Sequence, residues 1–124
     1  MKQNRPVFMD LRQIRLPITG WVSILHRISG IALVLSIPFG VYLFSLSLSG
    51  PEGFSAAAAV LDSGLVRLFL LVLGWSFLHH LFAGVRFLML DLQLGIDRPA
   101  ARKSAWIAVT AAAALLVIGG GLML

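Results

Sequence analysis

Three residues able to do chemistry, His79, His80 and Arg86, lie inside a long apolar run, in the stretch HHLFAGVRFLMLD that ends at Asp91. Upstream from Leu65 the residues are almost all apolar, so residues 65–90 read as one membrane-spanning helix, ~39 Å long at 1.5 Å rise per residue. Ionisable groups at such depth are costly and are functional by default. Counting back eleven residues from Asp91, the first acidic group beyond the run, sets His80 ~16 Å from that end of the helix. A neutral imidazole there needs a partner. It can donate to a carbonyl of a neighbouring helix, which is a packing role, or offer a ring nitrogen to a metal, and imidazole is the usual axial ligand of haem iron. Gly84, one turn on, would let a flat macrocycle or another helix approach the backbone closely. The residues alone leave both readings open. His79 points ~100° away from His80 on a 3.6-residue helix, so it cannot serve the same face and reads as a packed or interface histidine.

A second polar cluster opens an earlier apolar run, residues 21–47. Ser23, His26, Arg27 and Ser29 lie in its first turns, and Ser23 and Arg27, four apart, share a face. Trp21 suits a membrane interface and Pro38 is tolerated as a kink. A third run, residues 105–124, is just long enough to span, and Ala111 to Ala114 with Gly119 to Gly121 supply small residues that permit close helix packing.

Composition fixes the class. Of 124 residues 59% are hydrophobic and only 12% are charged, too few polar groups to coat a soluble domain. The chain therefore reads as an all-α integral membrane protein, a single domain over residues 1–124 with three transmembrane helices and a short amphipathic N-terminal segment. With no cysteine it has no disulfide framework, thiolate nucleophile or iron–sulfur cluster of its own. The net charge of +5 sits in short segments flanking apolar runs, which is a pattern of membrane orientation and not of nucleic-acid binding. No cleavable signal peptide is expected, since the first apolar run is too long for one. Absence of an internal repeat argues against an inverted-repeat transporter.

Residues 1–19 carry Lys2, Arg5, Arg12 and Arg15, with Val7, Leu11 and Ile14 recurring at roughly helical spacing, as in an amphipathic surface segment. The linker 48–64 holds SGPEGF, Glu52 and Asp62 but no Lys or Arg, and only a short helical turn is expected there, over 56–61. Residues 91–104 carry Arg98, Arg102 and Lys103. The basic segments predict a cytoplasmic N-terminus and 91–104 loop, with the linker 48–64 and the C-terminus outside.

RPVFMDLRQIRLPIT from Arg5, SILHRISG from Ser23 and HLFAGVRFLMLD from His80 together closely resemble the cytochrome b membrane-anchor subunit of bacterial succinate dehydrogenase, over essentially the whole chain. The resemblance implies an inner-membrane anchor that, with a second small membrane subunit and the surrounding lipid, holds an iron–sulfur subunit and a flavoprotein. It implies that electrons from succinate reach ubiquinone. It further implies His80 as an axial ligand of haem b, His26 and Arg27 near the haem propionates, and Ser23 and Arg27 at the ubiquinone site. A hydroxyl beside a guanidinium suits that last role, because it offers a donor to a quinone oxygen and a favourable field for the negative charge that develops on reduction. Many relatives have a histidine where this chain has Phe87, a departure that bears on the propionate side. His26, about four residues into the first helix, is expected ~6 Å below the interface against ~16 Å for His80. That ~10 Å mismatch argues against an intrachain pair and assigns the second axial ligand to a partner subunit. A fumarate reductase-type anchor and a haem-free structural anchor are the competing readings.

Overall fold

The computed structural model describes residues 13–123, which are all-helical, with no strand among them. Helix α1 spans Ile18–Ser47, α2 Pro51–Asp62, α3 Gly64–Asp91 and α4 Arg98–Met123. Of these, α1, α3 and α4 are long and apolar enough to cross a membrane. The expected amphipathic segment falls mostly outside the described residues. Its last part, residues 13–17, is exposed and not helical.

The spans lie where hydropathy puts them, but the helices extend further. α1 starts at Ile18 and not at 21, because extended Pro17 caps it, its carbonyl accepting from Gly20 N at 2.9 Å and Trp21 N at 3.2 Å. α4 starts at Arg98 and not at 105, with its basic first turns exposed. An apolar run marks the part of a helix that lies in hydrocarbon, whereas hydrogen bonding carries the helix on into the headgroups. Inside α1 the chain runs through Pro38 without a break.

The larger difference is α2, a full helix of 12 residues where only a short turn was expected. Gly50 enters it at φ 118°, a conformation open to glycine alone. Pro51 then supplies the preset φ of a first helical position, and Glu52 complements the helix dipole. Ser63 ends α2 and begins α3, donating to Val60 O at 2.9 Å and accepting from Val66 N at 3.4 Å. At the far end of α3, Gln93 takes φ 62° and closes a Schellman cap, with Leu94 N on Met89 O and Gln93 N on Leu90 O, both at 2.9 Å.

The packing is that of a bilayer protein. Large apolar side chains such as Leu35, Leu65, Leu88 and Val117 point outward, while the buried positions are mostly small, among them Ala83, Ala105, Ala108 and Ala112. Hydroxyls within the spans bond backward to their own helix, as Ser36 does to Leu33 O at 2.7 Å and Ser76 to Val72 O at 2.9 Å. α1 and α3 each contact every other helix, and α3 packs extensively on both α1 and α4. Around Val22, Ala83 and Ala105 the three spans close tightly at the end where α1 begins and α3 finishes. Toward α2 they leave an apolar crevice of about 870 Å³ lined by Leu33, Phe77, Leu116 and the side-chain-free Gly74, Gly119 and Gly120.

The α1–α2 corner depends on Gly53. A Cβ there would stand 2.4 Å from the Leu46 carbonyl, a backbone atom that cannot swing away, and 2.0 Å from Ser49 Oγ. At Gly40 a Cβ would meet nothing within 4 Å. Gly53→Ala should therefore destabilise the protein by about 1–3 kcal/mol, the usual cost of overpacking. Gly40→Ala should be neutral or stabilising by up to about 1 kcal/mol from helix propensity. Thermal unfolding of both variants in the same detergent checks the contrast, and an equal effect would contradict it.

Candidate functional site

Antiparallel packing of α1 on α3 brings His26 and His80 together. Their rings stack with centroids 4.0 Å apart and planes 8° from parallel. This corrects the expected depth mismatch. Because α1 begins at Ile18, His26 lies eight residues into it, ~12 Å along the axis, and the residual offset from the ~16 Å of His80 is small enough for side chains to bridge. Rings already in van der Waals contact leave no space for a third flat group between them.

The contact is reciprocal. His80 lies over Gly30, where a Cβ would meet its Cε1 at 2.9 Å, and His26 lies over Gly84, where a Cβ would meet its Nε2 at 3.4 Å. Of the two approaches open to Gly84 in the sequence, the structure contains that of a neighbouring helix. Each glycine follows its own histidine by four residues, so the pattern His-x-x-x-Gly occurs once in α1 and once in α3. That repeated pair is the signal in the sequence that could have found this crossing. His80 Nδ1 is 3.0 Å from the main-chain carbonyl of His26 and 3.2 Å from Ser29 Oγ. Ser29, only 1% exposed, donates to the same carbonyl at 2.8 Å. Sequence reasoning noted Ser29 within a polar cluster but gave it no partner, since nothing in α1 alone points to a residue of α3.

On the outer side of this crossing runs an open, mainly apolar groove of about 590 Å³, lined by His26, Arg27, Gly30, Ile31, Val34 and His80. Nε2 of His80 has no hydrogen-bond partner among the described residues, nor has the guanidinium of Arg27. Of the four predicted site residues the groove thus unites His26, Arg27 and His80. Ser23 sits one helical turn before Arg27, outside the lining. No group of three or more His, Asp or Glu among the described residues could hold a bare metal ion. What the groove offers is a single imidazole with one ring nitrogen engaged and the other open.

The inner side of α3 is structural. His79 is fully buried and stacked on Trp75, with centroids 5.0 Å apart. Among the described residues neither ring nitrogen has a hydrogen-bond partner within bonding distance, and the backbone of Val22 faces the ring. Arg86, 6% exposed, ties α3 to α4. Its Nε donates to Ser104 Oγ at 3.0 Å and its Nη2 to Ala101 O at 3.2 Å. Phe87 stands edge-on to His26, with centroids 5.2 Å apart, and lies under the Arg86 guanidinium at 5.3 Å.

Over residues 1–119 the chain matches the family described as succinate dehydrogenase/fumarate reductase transmembrane subunit. It is similar to the succinate dehydrogenase cytochrome b556 subunit of Coxiella burnetii, at 33% identity over 121 residues and 97% of each chain. The subunit of the same name from Paracoccus denitrificans is 32% identical over 115 residues, 93% of this chain and 88% of that one. A third, from Rickettsia bellii, is 26% identical over 106 residues.

Proposed function

We propose that this chain, which belongs to the family of succinate dehydrogenase/fumarate reductase transmembrane subunits, anchors a succinate dehydrogenase in the bacterial inner membrane, holds haem b jointly with a second small membrane subunit, and contributes to the site where ubiquinone is reduced. An iron–sulfur subunit and a flavoprotein complete the assembly. The observation that carries this reading is His80. Its Nδ1 is bonded within the bundle while its Nε2 is open, beside an apolar groove of about 590 Å³. The relatives are named as b-type cytochromes, which supports haem b as the occupant.

Haem b, when bound, supplies a one-electron redox centre. His80 would hold its iron through Nε2, and His26 and Arg27, which line the same groove, would stand toward its charged propionate edge. His26 stacks on His80 at 4.0 Å, which supports the reading that this chain would give the iron one histidine and the partner subunit would give the other. The expected result is that His80→Ala abolishes or alters the haem absorption of the assembled complex, read as a reduced-minus-oxidised spectrum, while His79→Ala largely preserves it. The reverse pattern would move the ligand to the wrong face of α3, and a spectrum without haem in the unaltered complex would favour a haem-free anchor.

Ser23 and Arg27 would form this chain's part of the quinone site. They share one face of α1, within about three turns of its start, where water can supply the protons that quinone reduction consumes. The serine hydroxyl donates to a quinone oxygen and the guanidinium stabilises the negative charge that reduction places on it. Ser23→Ala and Arg27→Ala should each cut succinate-to-quinone turnover at least tenfold and leave succinate turnover with an artificial acceptor within twofold of normal. Equal loss of both activities would mean an assembly defect.

The orientation follows the basic residues: the N-terminus and the loop before α4 in the cytoplasm, α2 and the C-terminus outside. Cysteines placed at the exposed Ser55 and Lys103 provide the check. An impermeant thiol reagent applied to intact cells should label position 55 and spare position 103, and the opposite labelling would invert the topology.

A further inference from the structure

We propose that Ser29, the His26 carbonyl and the bare backbone of Gly30 form a cradle on α1 that fixes both the tautomer and the ring plane of His80. Ser29 and Gly30 are then positioning residues for the haem ligand, and the proposal rests on the assignment of His80 as that ligand.

The hydrogen bonds determine the tautomer. A main-chain carbonyl can only accept, so the 3.0 Å contact between His80 Nδ1 and the His26 carbonyl places the proton on Nδ1. Ser29 commits its own proton to the same carbonyl at 2.8 Å, which leaves its oxygen able to accept from Nδ1 at 3.2 Å. Both acceptors therefore favour Nδ1–H. In a neutral imidazole the lone pair then resides on Nε2, the nitrogen with no partner among the described residues. Water does not compete with Ser29, because that hydroxyl is shut inside the helix contact at 1% exposure.

Sterics determine the plane. One face of the His80 ring is covered by the parallel His26 ring at 4.0 Å, and its Cε1 edge rests on Gly30. Cε1 lies between the two nitrogens, so a Cβ at position 30, 2.9 Å away, would have to push the ring and move the Nδ1 bond and the Nε2 direction together. The constraints all come from residues 26–30, little more than one turn of one rigid helix, the placement a ligand needs if its orientation is to be held to a few degrees.

Ser29→Ala, Ser29→Thr and Gly30→Ala would be compared in the assembled complex. Ser36→Ala serves as a control, because Ser36 makes the same backward bond, 2.7 Å to Leu33 O, without a histidine on it. Haem content, the low-spin EPR g values and the haem midpoint potential are the readouts. Ser29→Ala and Gly30→Ala should retain haem yet shift the low-field g value and the potential, while Ser29→Thr and Ser36→Ala stay at the unaltered values. Unchanged g values and potential in both Ser29→Ala and Gly30→Ala, or an equal shift in Ser36→Ala, would overturn the cradle. Should Ser29→Ala fail to assemble, Gly30→Ala decides alone, since it keeps every polar group. If His80→Ala left the haem signal intact, the ligand assignment would fall, a result distinct from a cradle that merely has no effect.

Discussion

Two imidazoles, each lying on the bare backbone of the other's glycine, set the geometry of this protein. His26 rests on Gly84 and His80 on Gly30, so α1 and α3 approach as closely as their histidine rings allow. In hydrocarbon there is no hydrophobic gain from bringing two apolar helices together, and association depends on packing and on hydrogen bonds between helices. The contact supplies both. The rings fill the space that the glycines leave, and Nδ1 of His80 finds a main-chain carbonyl that would otherwise be shared only within α1. A bond of this kind is worth about 0.6 kcal/mol on average in a membrane protein, so its main effect is on register and only secondarily on stability.

From that crossing the remaining structure follows. With α1 and α3 locked at one level, α3 buries Ser76, His79, Ala83 and Arg86 and α4 buries the small Ala105, Ala108 and Ala112, with Ala83 and Ala105 packed together on Val22. The helices can approach there because alanines occupy those positions. His79 and His80, adjacent in sequence, consequently meet opposite conditions. One is sealed in the core against Trp75, and the other lies beside the groove with one nitrogen open.

The three spans are legible in the sequence because each is a nearly uninterrupted apolar run, and charge segregation makes their flanks visible. Their ends are less so, since hydropathy reports the bilayer and not the helix, which is how α1 gains Ile18 and α4 gains Arg98. That extension of α1 displaced His26 in depth and hid its stacking on His80. α2 is obscured by its opening SGPEGF, whose Gly and Pro read as a break although the alanines that follow favour a helix. Its start depends on Gly50 in a conformation that only the fold reveals. Residue types and the helical period marked His80 and, separately, the cluster of Ser23, His26 and Arg27, and it was the family resemblance that joined them as one site. The role of Ser29 was not legible, because it arises across 51 residues of sequence separation.

Arg27 of α1 and Arg86 of α3 meet opposite conditions. A guanidinium at the centre of a bilayer costs about 2.5–3.5 kcal/mol on insertion scales and less toward the interface. Arg86 offsets its burial inside the protein, through Ser104, Ala101 and the face of Phe87, and needs nothing from outside to do so. Arg27 has no such set of partners among the described residues, and it is exposed on the rim of an apolar groove. Near the start of α1 its long stem can reach the headgroups, which accounts for its tolerance but not for its place beside His26 and His80. A cation held against an apolar groove is better satisfied by an occupant that carries acceptor oxygens, as both a haem propionate and a quinone do. Burial therefore separates the arginine that holds the bundle together from the one left exposed on the rim of the groove.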